Sequence, residues 1–138
     1  MKNLLWESAN GVDFMSPDDM ETDYSDDLNR IERESGINIL SDKELTLLAV
    51  MDGKVVGALY TSTGPNDYSF DIIVDKPYRG KGIGKQLTDL GLSDYNQVGD
   101  ELGVPLKLDV VNPKMIPYLK LKGLKVVQQH DGHTIMTK

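Results

Sequence analysis

Residues 78–87, YRGKGIGKQL, set Arg79, Lys81 and Lys85 around Gly80, Gly82 and Gly84, in a chain whose formal net charge is −7. Positive side chains around bare backbone suit an anion. The segment lies where a β-rich run ends and a helical pattern begins. N–H groups at a helix start have no partner one turn back, and the helix dipole adds partial positive charge there. Glycine removes the side chains that would keep a large anion off those amides. The expected ligand is a phosphate or pyrophosphate, with Arg79, Lys81 and Lys85 on the rim.

Two common phosphate motifs do not fit. The dinucleotide spacing GxGxxG fails, because Gly80 and Gly82 are followed by Lys85, and Gly82 and Gly84 by Leu87. The P-loop GxxxxGK[ST] fails as well: Arg79 stands where its first glycine belongs, and Gln86 where its hydroxyl belongs. The chain has no cysteine, which excludes disulfides, thiolate metal sites and a cysteine nucleophile. His130 and His133 flank Asp131-Gly132, but HxxH on a turn is not a zinc signature, so exposed turn histidines and no metal are expected.

The positioning elements follow from periodicity and turn chemistry. Ser16-Pro17-Asp18-Asp19 is a helix-start signal, and Met20, Tyr24, Leu28 and Ile31 would share one helical face, with Gly36 closing the helix. Strands are expected at 44–51 and 54–63 around Asp52-Gly53, and at 68–75, forming an antiparallel meander. A helix runs from Gly82 to about Gly103 with Ile83, Leu87, Leu90, Val98 and Leu102 inward. Gly91 and Gly99 weaken it by about 1 kcal/mol each relative to alanine. A strand at 105–111, a short helix at 114–122 begun or broken by Pro117, and two strands around Asp131-Gly132 complete the chain. The order is β, α, β, β, β, α, β, α, β, β: a mixed α/β (α+β) fold in one domain, residues 1–138. Trp6 and the methionines are expected in the core.

Charge is uneven. Residues 1–50 carry 12 acidic and 4 basic side chains, whereas residues 51–138 carry 10 and 11. Nucleic acid is not expected to bind such a surface. The acidic excess is either a solvated helix face or an attraction for a cationic small molecule or basic peptide. The start MKNLLWES is too short for a secretion signal and no stretch is long enough to span a membrane, so a cytoplasmic protein is expected.

A strand ending in Val74, the turn Asp75-Lys76-Pro77-Tyr78, and Arg79-Gly80-Lys81-Gly82-Ile83-Gly84 opening a helix together resemble the [RQ]xxGx[GA] hallmark of the GNAT family of acyl-CoA-dependent N-acyltransferases. The preceding hairpin, the strand at 106–111, Asn112 and KGLKVV resemble further family elements in the usual order, over roughly residues 40–138. The resemblance implies a mostly antiparallel central sheet flanked by helices, with a splayed strand pair around Val74 and Leu108 that holds acyl-CoA. It implies that the 79–84 amides hold the CoA pyrophosphate, that Ile72 and Val74 bond the pantetheine arm, and that Asn112 approaches it. Acetyl-CoA is the implied acyl donor and a primary amine or basic peptide the acceptor. Subunits of this fold often pair through strand edges, which makes a homodimer an expectation.

The family often supplies the leaving thiolate's proton from a tyrosine about seven residues after the Asn. Here that position is Leu119, and Tyr118 stands one residue earlier, a rotation of about 100° on a helix. Tyr118 either reaches the sulfur or packs in the core. Asp71, on the strand leading to Val74, is the best placed general base, or else a solvated carboxylate; Asp18, Glu21 and Asp26 could attract an amine without any one standing out. Two alternatives to an enzyme stay open: an acyl-CoA-binding sensor or interaction module, and a nucleotide-phosphate binder.

Overall fold

A computed structural model describes residues 4–7, 11–20, 23–35 and 43–138. The strands are β1 (Leu4–Glu7), β2 (Asp13–Met15), β3 (Glu44–Met51), β4 (Lys54–Thr63), β5 (Tyr68–Val74), β6 (Lys107–Val110), β7 (Lys125–His130) and β8 (His133–Thr137); the α-helices are α1 (Ser25–Ser35), α2 (Ile83–Leu102) and α3 (Ile116–Leu121). The mixed α+β expectation holds. Strands hydrogen-bond in two sheets, ordered β1-β2-β3-β4-β5 and β6-β8-β7. All pairs from β1 to β4, and both pairs of the smaller sheet, are antiparallel. Contacts divide the chain into two compact units, Met1–Ser62 with Phe70–Ser93, and Thr63–Ser69 with Asp94–Lys138.

In the first unit, β3 and β4 close on Asp52 and Gly53, with φ of 52° and 75°. These left-handed values build the tight turn whose twist matches a hairpin. From Val55 to Tyr60 every residue of β4 is buried, so both faces of the strand are covered. Leu28 and Ile31 of α1 pack with Met15, Leu48, Val50, Val55, Ala58, Tyr60 and Ile73. Deep in this packing the Tyr60 hydroxyl donates to Glu32 Oε1 at 2.5 Å, and burial together with that carboxylate raises the phenol's pKa.

α2 lies close to the sheet through glycine. A Cβ on Gly91 would stand 2.8 Å from the Phe70 ring, and one on Gly57 would stand 3.3 Å from Leu87 Cδ1 of α2. Helix propensity therefore yields to close approach. Gly91→Ala should lower Tm despite about 1 kcal/mol of propensity gain, because shifting a packed ring costs about 1–3 kcal/mol. A thermal melt showing a higher Tm would mean that the ring gives way freely.

Three expectations need correction. Two short strands, not one, precede α1. The signal at Ser16 makes one 3-10 turn, Pro17–Asp19, in which Ser16 Oγ accepts from the Asp18 N–H; Met20 is then extended (φ −73°, ψ 130°). A second cap, Asp23 Oδ1 accepting from Ser25 N–H at 2.9 Å, starts α1 instead, and that bond lowers the Asp23 pKa. Met20 and Tyr24 still pack against the core beside Leu28 and Ile31, so the apolar pattern survives the shorter helix. Leu102, at the last position of α2, is exposed rather than inward. Gly36 and Glu21 lie outside the described residues. Met15 and Met136 are buried as expected, and Trp6 stands in β1 opposite Phe14.

In the second unit, Asp131 and Gly132 (φ 46° and 80°) close the β7–β8 hairpin. Leu106, Leu108, Leu119, Leu124 and Met136 are buried. Tyr68 N–H donates to the Pro105 carbonyl at 2.9 Å, beside a parallel bridge from Tyr68 to Leu106. Among the described residues, no helix is long and apolar enough to cross a membrane.

Candidate functional site

The glycine-rich segment is built from the end of β5 upward. Tyr68 and Phe70 are buried, but the next buried positions are Ile73 and Asp75, so the alternation slips by one residue, as at a β-bulge. The slip leaves Ile72 and Val74 half-buried on a common side. There a Cβ on Gly84 would stand 3.7 Å from Ile72 Cδ1 and 3.8 Å from Val74 Cγ2, so the first turn of α2 lies against these two side chains.

Asp75 ends the strand and is only 1% exposed. Its carboxylate receives both guanidinium nitrogens of Arg30 on α1, Nη1 at 2.9 Å and Nη2 at 3.0 Å, while its N–H donates to the Val56 carbonyl at 2.8 Å. The Arg30 hydrogen bonds hold the Asp75 pKa below the usual carboxylate range. From this anchor the chain makes the 3-10 turn Lys76–Tyr78, and Arg79 Nε returns to donate to the Val74 carbonyl at 3.0 Å. The turn's start is thus bonded to α1 and its end to β5.

Beyond Arg79 the backbone turns left-handed at Gly80 (φ 79°) and Gly82 (φ 86°), and a Cβ at either would meet nothing within 4 Å. The segment is open on the side where side chains would project. Ile83 is buried and pins the start of α2. Gln86 N–H donates to the Gly82 carbonyl at 3.1 Å, so Gly82 heads the helix and the first N–H groups point out of its start. Lys81 Nζ stands 5.6 Å from the Tyr78 ring centroid, and Lys85 is exposed on the first turn. Gln86 Oε1 is buried with no hydrogen-bond partner among the described residues, leaving an acceptor for a ligand's N–H or O–H. This geometry can hold a large anion by backbone amides with cationic side chains beside it.

Ile72, Val74 and Arg79–Lys85 therefore gather in the first unit. Asp71 lies in the same strand, half-buried and ion-paired with Lys43 Nζ at 3.1 Å. Asn112 and Tyr118 belong to the second unit, on the connection from β6 to α3. Asn112 is exposed and its Oδ1 accepts from Lys114 N–H at 3.1 Å, starting the 3-10 turn that leads into α3. Tyr118 is half-buried, with Lys122 Nζ 5.2 Å from its ring centroid, whereas Leu119 points into the core at 3% exposure. Pro117 stands at the start of α3 and does not break it.

Sequence reasoning missed Arg30. Nothing in the spacing of an acidic helix joins it to a turn residue 45 positions away. It also passed over Asp109, whose carboxylate holds His133.

The acetyltransferase (GNAT) family model matches residues 2–121. Among solved structures, Ard1 from Thermoplasma volcanium is similar over 93% of this chain and 97% of its own, at 20% identity and TM-score 0.60. Escherichia coli ElaA is similar over 92% and 98%, at 13% identity and TM-score 0.71. Arabidopsis thaliana Naa50, solved with the bisubstrate analogue CoA-Ac-MVNAL, is similar over 93% and 98%, at 15% identity and TM-score 0.63. A search of curated proteins finds no significant match.

Proposed function

The chain belongs to the acetyltransferase (GNAT) family, and from that premise we propose that residues 1–138 act as one N-acetyltransferase domain that moves an acetyl group from acetyl-CoA to a primary amine. The observation that carries the proposal is the Val74–Lys85 segment: left-handed glycines open on their Cβ side, a helix start, and basic side chains beside both. In this reading the amides of Gly80–Gly84 hold the pyrophosphate, with Arg79, Lys81, Ile83 and Lys85 shaping and charging the cradle. The backbone at Ile72 and Val74 bonds the pantetheine arm and polarises the thioester carbonyl, and Asn112 approaches that arm. Catalysis rests mainly on bringing the two substrates together in one ternary complex. The acceptor is a small-molecule amine or a peptide amine, as the peptide-bearing analogue of Naa50 illustrates for that protein. A cytoplasmic setting and a homodimer complete the proposal.

Tyr118 is proposed to protonate the leaving thiolate, and Asp71 to accept the amine's proton once Lys43 releases it. A second reading is favoured by the same two residues. Leu119, buried at 3%, occupies the position where the family's tyrosine is expected, and Asp71 already has a cation. The chain would then bind acyl-CoA as a sensor or interaction module.

Thermal melts with acetyl-CoA, CoA, ATP and NAD test the cofactor. A ligand at 100 times its Kd adds about 2.7 kcal/mol of stability, which should raise Tm by several degrees for the two CoA species only. No shift with either would overturn the acyl-CoA reading; an equal shift with ATP would favour a nucleotide-phosphate site. Tyr118→Phe should keep the CoA shift and lower kcat by about 100-fold with any acetylated amine. Unchanged kcat would remove Tyr118 from the mechanism.

A further inference from the structure

Among the described residues, Lys43 is the one lysine that is not exposed. It stands just before β3, and its side chain keeps only 15% of its surface in contact with water. Its Nζ lies 3.1 Å from Asp71 Oδ2, and the Asp71 side chain is itself 20% exposed. A lysine drawn out of water beside a carboxylate has what a nitrogen nucleophile needs. The carboxylate can take a proton, and Nζ then carries a lone pair. The start of β3 is fixed to β4: Glu44 is paired with Thr61, and Thr46 Oγ1 stands 2.7 Å from Thr61 Oγ1. β4 in turn lies between β3 and β5, so Lys43 reaches across β4 to Asp71. β5 is the last strand of this sheet, and Asp71 directly precedes Ile72. Neighbouring strands are about 4.8 Å apart, so the outer edge of β5 is within about one strand spacing of a group seated over Asp71. A four-carbon stem covers that by rotamer changes alone. Lys43, Asp71, Ile72, Val74 and the glycine turn all belong to the first unit.

We propose that Lys43 is a self-acetylation site, modified by the acetyl-CoA that its own chain binds. The proposal rests on the acyl-CoA reading, which sets the thioester against the Ile72–Val74 backbone, and it supplies the step that releases Asp71 from its cation. Asp71 takes one proton from the Lys43 ammonium. The Nζ lone pair forms the C–N bond to the thioester carbonyl carbon, the C–S bond breaks, and the second proton leaving Nζ ends on the thiolate. The products are Nε-acetyl-Lys43, CoA thiol and one proton passed from Asp71 to solvent. Acetyl-CoA is the only co-reactant. The amide is neutral and no longer donates a charged contact, so Asp71 is left as a carboxylate without its ion-pair partner. The first turnover on the chain itself thus prepares the base for later ones.

The test incubates the purified protein with acetyl-CoA and no amine, and follows intact mass and peptide maps over time. Wild type should gain one acetyl group per chain, on Lys43, at a rate per chain that does not change on dilution. The location is diagnostic, because solution acetylation favours exposed lysines such as Lys81 and Lys85 over one that is 15% exposed. Lys43→Arg, which keeps a cation beside Asp71, should gain none while its Tm shift with CoA matches wild type. Asp71→Asn should slow the gain about 100-fold. If CoA raises Tm but the acetyl groups are absent or spread over exposed lysines, self-acetylation is overturned and the acyl-CoA reading stands. A rate per chain that rises with protein concentration overturns transfer within the chain. An unchanged rate in Asp71→Asn overturns the proton transfer to Asp71. If neither CoA nor acetyl-CoA moves Tm, the acyl-CoA reading falls and self-acetylation with it.

Discussion

Gly82→Val is expected to weaken CoA binding by about 100-fold or more while leaving a folded protein. Gly82 sits at φ 86°, and the place its Cβ would take is empty. A side chain there does not clash with the protein; it stands where the proposed pyrophosphate would come. β-Branched residues resist this backbone conformation, at a cost of about 1–3 kcal/mol that appears as a lower Tm. Losing two charge-assisted hydrogen bonds of about 1.5 kcal/mol each corresponds to roughly 100-fold in Kd. Gly53→Val separates the two effects. Gly53 has a similar φ of 75° and equally empty surroundings, but it belongs to the β3–β4 turn. It should lose stability without losing affinity. Isothermal titration of CoA into both variants decides the matter: equal affinities would mean that the glycines serve the turn and not a ligand.

The second large effect concerns Asp75. Asp75→Asn should lower stability by about 2 kcal/mol at pH 7, since hydrogen bonds to a charged group contribute about 1.5–3 kcal/mol each way they are counted. The figure lies below the 3–5 kcal/mol for breaking a fully buried pair, because the Arg30 side chain is 34% exposed and water screens it. The pH dependence has a definite sign. The folded Asp75 pKa is depressed, so its contribution is complete above the unfolded carboxyl value near 4 and is lost as pH falls through the lower folded value. Wild type and variant should therefore differ at pH 7, by about 6–8 °C in Tm, and converge in acid. A constant difference down to pH 2 would show that packing, not ionisation, carries the effect. Because the Arg30–Asp75 pair anchors the turn that leads to the glycines, the variant should also weaken CoA binding; Arg30→Lys, which keeps the charge but not the two-pronged bond, should retain only part of the wild-type affinity.

What was legible in the sequence was local. Asp52-Gly53 and Asp131-Gly132 announced their hairpins because only a few residues accept two left-handed conformations in succession, and the structure has both. The strand, turn and glycine order of residues 68–84 announced a turn with left-handed glycines at a helix start, and the structure has it, since backbone geometry there depends on residues in immediate succession. Local signals also misled where a second local signal competed: Ser16 capped a single turn because Asp23 capped the helix that follows.

Three features depended on tertiary structure, each for a distance reason. Arg30 meets Asp75 across 45 residues, and His133 meets Asp109 across 24, so neither pair has a spacing that marks it. The slip in β5 that leaves Ile72 and Val74 beside Gly84 depends on what packs on each face of the strand, not on the alternation itself. The open glycine turn at the start of α2 was readable from the chain alone, because glycine freedom and helix-start amides are properties of neighbouring residues. Which charges brace that turn and which histidine gains a carboxylate became visible only in the folded chain, because these ion pairs form between side chains that sheet and helix packing brings within 3 Å.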